Sequence, residues 1–259
     1  MKVGEHRRVQ NKPSGISRVV SLMATYERPG MLIATVKSYL TSDPNPPQLI
    51  VFDDGSQSDA KQEELKVVRT LGVAVMELEH AGFITTWRRA FNWAARSLSS
   101  QVDGLVLLED DLSFAKGWLD VLKRMHNGVY TLGLRPGAMS CLRVHSVPQN
   151  TAVNLDGIEA YQSMMHGFQV NLVPFEVILR WDIFEESEAA ARAGQHGIDV
   201  HWLGNLSHRL GLTNFVSMQS WVAHEGARAS IVTGQGYKSF EHRGYNLVEE
   251  LCRGNGDLK

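Results

Sequence analysis

Gly104-Leu105-Val106-Leu107-Leu108-Glu109-Asp110-Asp111-Leu112 is the stretch on which the fold turns. The four consecutive apolar residues Leu105 to Leu108 leave no polar face. Such a run reads as a strand buried on both sides, as in a parallel sheet covered by helices. Three carboxylates follow at once. Their mutual repulsion is tolerable only where water solvates them or a cation sits among them. Two readings are open on this stretch alone. One is an N-cap with solvated acids at a strand-to-helix turn. The other is a site for a hard divalent metal, which prefers oxygen ligands.

Upstream, the chain repeats one pattern. Val19 to Met23 is a short apolar run, read as a first strand, and Ala24 to Gly30 breaks it. Pro29 suits the first turn of a helix. Leu32, Val36 and Leu40 follow at helical spacing, and Pro44, Pro46 and Pro47 end that helix. Leu49 to Phe52 is a second buried strand, running into Asp53-Asp54-Gly55-Ser56-Gln57-Ser58-Asp59. Ala60 to Leu71 reads as a helix stopped by Gly72 at the C′ position. Val73 to Leu78 is a third strand, and Phe83, Trp87, Phe91, Ala94 and Leu98 mark a third helix. This alternation predicts an α/β fold with a mostly parallel central sheet and helices on both faces. In such sheets ligands bind beyond the carboxyl ends of the strands. Thr25 to Arg28, Asp53 to Ser56 and Glu109 to Asp111 each follow a strand, so all three fall on one rim. That coincidence favours a ligand site over scattered solvated acids.

The ligand is narrowed by what the rim contains. There is no Gly-x-Gly-x-x-Gly after the first strand and no Gly-x-x-x-x-Gly-Lys-Ser/Thr, so neither glycine cradle for phosphates is present. Carboxylates suit a ligand whose phosphates are gripped through a metal. Asp53 or Asp54 would accept from a uracil or guanine N–H, Glu109 from ribose hydroxyls, and Asp111 would hold Mg²⁺ or Mn²⁺ on a diphosphate.

Ser21 to Pro29, Ile50 to Ser56 with Asp59, and Leu107 to Leu112 together resemble the nucleotide-sugar half of a GT-A glycosyltransferase, in particular the family-2 type. The Glu-Asp-Asp-Leu form with Phe114 and Trp118 is also similar to N-acetylglucosaminyltransferase I. The resemblance covers Val19 to Leu122 and is thin beyond. It departs from the family at Glu27, where Asn is usual, and at Glu109-Asp110-Asp111, where Asp-x-Asp is usual. It implies a GT-A fold: a single domain over 1–259, with a nucleotide-sugar-binding half at 18–112 and a smaller acceptor-side α+β half at 113–259. It implies a metal-dependent transfer from a nucleotide sugar, a UDP-sugar by preference, to a hydroxyl acceptor with inversion. Matched residue by residue, the donor side falls on Thr25, Tyr26, Arg28, Asp53, Asp54, Glu109 and Asp110, with Arg88 or Arg89 reaching the base or diphosphate. Metal falls on Asp111, with Glu109 in a ribose or secondary metal role. Asp110 is expected to point away from it, because neighbours on an extended segment face opposite sides.

The second half yields less. Lys116 to Met125 reads as a helix, Pro136 to Leu142 as a strand, and Val147 to Ala160 as a loop on the acceptor side. Tyr161 to Phe175, with His166, matches the family's acceptor-pocket lining. Trp181 to Ala193 reads as a helix whose acids Glu185, Glu186 and Glu188 form a solvated face. The resemblance puts the catalytic base on Asp199, ahead of a helix over Leu206 to Leu212, with Asp182, Glu185 and Glu186 as fallback acids. Phe215 to Met218 is a late strand. Ser220 to Gly226 resembles the family's closing strand, whose histidine, here His224, completes the metal or diphosphate site. Two rival functions share these features: a sugar-phosphate nucleotidyltransferase and a catalytically silent nucleotide-sugar-binding module.

Composition excludes little but is consistent. At 259 residues the chain can bury a large core. A formal charge of -2 gives no basic field for nucleic acid or anionic membrane. Arg7, Arg8, Lys12 and Arg18 form a basic start that reads as a solvated terminus. Two cysteines, Cys141 and Cys252, make no disulfide framework, which points to a reducing cytoplasm. No apolar run reaches membrane-spanning length, so no stable membrane insertion is expected. The acceptor class stays open among glycan, lipid, protein and modified nucleic acid.

Overall fold

Strand β4 (Gly104–Leu108) is buried along its whole length, and its side chains divide between two cores. Val106 and Leu108 enter one core, Leu105 and Leu107 the other. In this computed structural model the described residues are 15–98, 101–142, 152–163, 169–193 and 197–225. β4 pairs in parallel with β1 (Val19–Thr25), β1 with β2 (Gln48–Asp53), and β2 with β3 (Ala74–Glu77). The carboxyl ends of these four strands therefore share one rim.

On its other edge β4 meets β9 (Val170–Pro174), which runs antiparallel. The sheet continues through β6 (Arg135–Ser140), β10 (Leu212–Ser217), β8 (Ile158–Gln162) and β7 (Val153–Leu155), giving nine strands in the order β3-β2-β1-β4-β9-β6-β10-β8-β7. A separate two-stranded ladder joins β5 (Leu112–Phe114) to β11 (Val222–His224). Helices α1 (Met31–Ser42), α2 (Asp59–Thr70) and α4 (Trp118–Thr131) supply Leu32, Tyr39, Leu65, Trp118 and Met125 to the first core. Helices α3 (Phe83–Ser97), α5 (Trp181–Arg192) and α6 (Ile198–Leu210) supply Trp87, Phe91, Phe184 and Trp202 to the second. The fold is thus α/β, with a large central sheet covered by helices on both faces.

Two sequence expectations are corrected. Pro29 lies before α1 rather than in its first turn. The helix starts at Met31 behind Gly30, whose φ of 91° is left-handed, and the Glu64 carboxylate accepts from Gly30 N and Ile33 N instead. Of the expected loop at 147–160, the described part is a β-hairpin. β7 and β8 join through Asp156-Gly157, both at positive φ, the pair a tight hairpin turn requires. The expected basic residues Arg7, Arg8 and Lys12, and also His166 and Cys252, lie outside the described residues. Among the described residues no helix is long and apolar enough to cross a membrane.

Candidate active site

The three rim segments come together, and hydrogen bonds tie each to the next. Thr25, the last residue of β1, donates from Oγ1 to Asp110 Oδ2 at 2.5 Å. Its carbonyl accepts from Asp54 N at 3.0 Å. Arg28 spreads its guanidinium over two carboxylates. Nη1 donates to Asp111 Oδ2 at 2.6 Å, and Nη2 donates to Asp110 Oδ1. Asp110 is fully buried and faces Thr25, Arg28 and Lys61. Burial raises its pKa against the lowering contacts with Arg28, Lys61 and Thr25.

Helix α1 aims the acidic turn. Thr35 Oγ1 donates to Asp110 O at 2.8 Å and accepts from Leu112 N at 2.9 Å. Ser38 Oγ accepts from Phe114 N, and Ser42 Oγ accepts from Trp118 Nε1. These hydroxyls recur every three or four residues, hence on one helix face. Their sequence signal is the spacing itself, three hydroxyls at 35, 38 and 42 on one face of a helix.

Asp111 then presents its remaining oxygen to a cluster. Oδ1 is buried and accepts no aligned hydrogen bond. His224 Nε2 lies 3.1 Å from it and 3.5 Å from Glu109 Oε2. His224 is delivered by the β11–β5 ladder, in which it lies opposite Leu112, and Glu225 N donates to Asp111 O at 2.7 Å. One donor atom from each of Glu109, Asp111 and His224 lies within 4.8 Å of the others. Burial alone would lower His224, but the two carboxylates hold it up at about 10. Burial raises Glu109, and the like charges of Asp111 and Asp199 add to this against His224. Burial would raise Asp111 too, yet His224 and Arg28 outweigh it and keep it low.

These residues fit a divalent cation. The Asp111 oxygen left over from the Arg28 contact, a second carboxylate and an imidazole converge, a donor set suited to Mn²⁺-like ions. Charge agrees. With the His224 proton displaced, as ligation requires, Arg28 and Lys61 stand against Glu64, Glu109, Asp110 and Asp111, an excess of negative charge that one divalent ion matches.

The other expected donor-side residues occupy definite places. Asp53 is fully buried and accepts from Ser56 N and Ser56 Oγ at 2.8 and 2.6 Å. Asp54 accepts from Ala81 N and Gly82 N at 3.0 and 2.9 Å, ahead of α3, and pairs with His80 Nδ1 at 3.0 Å. Tyr26 stacks on His80, with ring centroids 4.5 Å apart. Gly55 lets this happen: a Cβ there would meet His80 N at 2.5 Å. Arg88 pairs with Glu185 and Glu188, and Arg89 donates to Glu79 O. Asp182 and Glu186 are exposed and pair with Arg209. Asp199 sits in the first turn of α6 rather than ahead of it, half-buried, with its charge felt at Glu109.

No family model and no curated protein matches the chain. Solved structures do. GalNAc-T7, in a crystal structure with UDP, GalNAc and Mn²⁺, superposes with a TM-score of 0.58 at 15% identity, over 81% of this chain and 44% of that one. TarS of S. aureus superposes with a TM-score of 0.50 at 14% identity, over 80% of this chain and 36% of that one. The chain spans less than half the length of either. What it shares with them is the architecture, and the fold of this protein is the GT-A fold of glycosyltransferases.

Proposed function

We propose that the protein is a metal-dependent glycosyltransferase that moves a sugar from a nucleoside-diphosphate sugar to a hydroxyl acceptor. The observation that carries this is the convergence of Glu109, Asp111 and His224 at the carboxyl rim of a GT-A sheet. Fold alone does not assign activity; a cation site at the place where such sheets bind ligands adds chemistry to it.

Each residue has a role in this reading. Asp111 and His224 hold Mn²⁺ or Mg²⁺, with Glu109 shared between the ion and the ribose. The ion supplies charge neutralisation for a departing nucleoside diphosphate. Arg28 occupies Asp111 Oδ2, so this aspartate offers the ion a single oxygen. Tyr26 and His80 form a stacked aromatic wall beside Asp53 and Asp54, a surface suited to a base, with UDP preferred among the nucleotides. The GalNAc-T7 structure, which holds UDP and Mn²⁺, supports that preference by its fold. Asp199 is the general base. It takes the proton from an acceptor hydroxyl as that oxygen attacks the anomeric carbon and the diphosphate leaves from the opposite face, inverting the centre. A cytoplasmic setting is in keeping with the low cysteine count.

The test is a screen of UDP- and GDP-sugars for donor hydrolysis and transfer with Mn²⁺ or Mg²⁺. Turnover that stops on adding EDTA is expected. Full activity in EDTA contradicts the metal role, and binding of a nucleotide sugar with no turnover across acceptor classes favours a silent binding module.

A further inference from the structure

Glu27 is the residue of the β1–α1 connection whose backbone is strained. Its φ is 44°, in the left-handed region that L side chains other than Asn and Asp rarely adopt. Such a conformation is costly and persists only where the surroundings impose it. Here they do. Glu27 Oε1 accepts from Gln57 N and from Ser58 N, the latter at 3.1 Å. Glu27 N donates to Ser56 Oγ at 3.0 Å. One residue on, Lys61 Nζ reaches Arg28 O at 3.3 Å.

A helix cap does not account for this. α2 already has its cap in Ser58, whose hydroxyl accepts from Lys61 N. Gln57 N and Ser58 N lie ahead of the helix, so Glu27 clamps loop to loop. What the turn separates is informative. On one side Tyr26 stacks on His80. On the other Arg28 forks onto Asp110 and Asp111. Tyr26 and Arg28, the two neighbours of Glu27, reach different parts of the rim because the chain kinks at the residue between them.

We propose that Glu27 is a positioning residue: its carboxylate holds the left-handed turn that sends Tyr26 to the aromatic wall and Arg28 to the metal-site acids. The proposal rests on the glycosyltransferase reading for what those two neighbours serve. Glu27 touches no reacting atom. Its contribution is to fix the distance between the base side and the diphosphate side of one donor site, and small misplacements there are costly.

The experiment compares Glu27→Ala, Glu27→Asn and Val68→Ala with the wild type, measuring the dissociation constants of UDP and GDP by calorimetry in Mn²⁺ together with thermal midpoints. Glu27→Ala should weaken nucleotide binding about tenfold or more, the equivalent of roughly 1.4 kcal/mol. Glu27→Asn, which tolerates the left-handed turn and keeps a carbonyl acceptor, should stay within about threefold of the wild type. Val68→Ala removes buried packing of α2 without touching the kink, so it should lower the thermal midpoint and leave binding unchanged. If Glu27→Ala does not fold, Glu27→Gly removes the clamp at no φ cost and should still weaken binding. Unchanged nucleotide affinity in the folded Ala or Gly variant overturns the proposal, as does an equal loss in Val68→Ala. A wild type that binds neither nucleotide overturns the donor reading itself, and this inference with it.

Discussion

His224 Nε2 stands 3.1 Å from Asp111 Oδ1 because β11 pairs with β5, the strand that begins one residue after Asp111. A histidine near the end of the described chain is thereby fixed beside an acid from its middle. The geometry depends on a three-residue ladder, Val222 to Phe114, Ala223 to Ser113 and His224 to Leu112. The predictions below follow from how such contacts are built.

Asp54 caps the approach to α3 by accepting two backbone N–H groups. Asp54→Ala leaves both donors without their partner and should cost about 1–2 kcal/mol of stability. Urea denaturation measures this. The same variant releases His80 from its contact with the carboxylate and should weaken nucleotide binding in calorimetry, since the aromatic wall loses its anchor.

His126 gives the fold a pH dependence. It is buried on α4 beside Tyr130, and burial pushes its pKa down to about 4. The unfolded value is about 6.5. Above pH 6.5 the ring is neutral in both states and contributes nothing. As pH falls from 6.5 to 4 the unfolded state takes up the proton first, so stability is lost, and below 4 the loss is complete. The full loss is about 3 kcal/mol at 1.36 kcal/mol per unit. His126→Leu should remove this part of the slope. Urea denaturation of both proteins at pH 7.5 and pH 4.5 checks it: a slope unchanged by the substitution contradicts the assignment.

Asp199→Asn separates chemistry from binding. A general base supplies typically about 10²–10⁴-fold, so transfer should fall by that factor while nucleotide and Mn²⁺ still bind. Transfer at the wild-type rate would remove Asp199 from the mechanism. Asp182, Glu185 and Glu186 are poor replacements, since all three face arginines, Arg88 on α3, Arg180 just ahead of α5 and Arg209 on α6, in exposed ion pairs.

The first half of the fold was legible because its signals are local. Each buried strand is a short apolar run, and each rim segment follows its strand directly, so the parallel order of β1 to β4 put Thr25, Asp53 and Glu109 on one edge. Non-local features were harder. The β5–β11 ladder joins segments far apart in sequence, and His224 was placed by resemblance alone. Lys61 carries no mark of burial in its residue type, yet it is fully buried between Glu64 and Asp110. Arg88 and Arg89 were expected at the donor, and their side chains are engaged by α5 and by Glu79. One local signal was missed outright: Asp156-Gly157 is a hairpin turn pair inside a stretch read as loop.

The central claim is that Glu109, Asp111 and His224 hold one divalent cation for a nucleoside diphosphate. Titration with Mn²⁺ in the presence of UDP or GDP, following free ion by electron paramagnetic resonance, tests it most directly. The wild type should take up one ion per chain, and Asp111→Asn, with an unchanged circular dichroism spectrum, should bind it at least about tenfold more weakly, or roughly 1.4 kcal/mol. Equal Mn²⁺ affinity in the two proteins, or no uptake by the wild type with either nucleotide, would contradict the account.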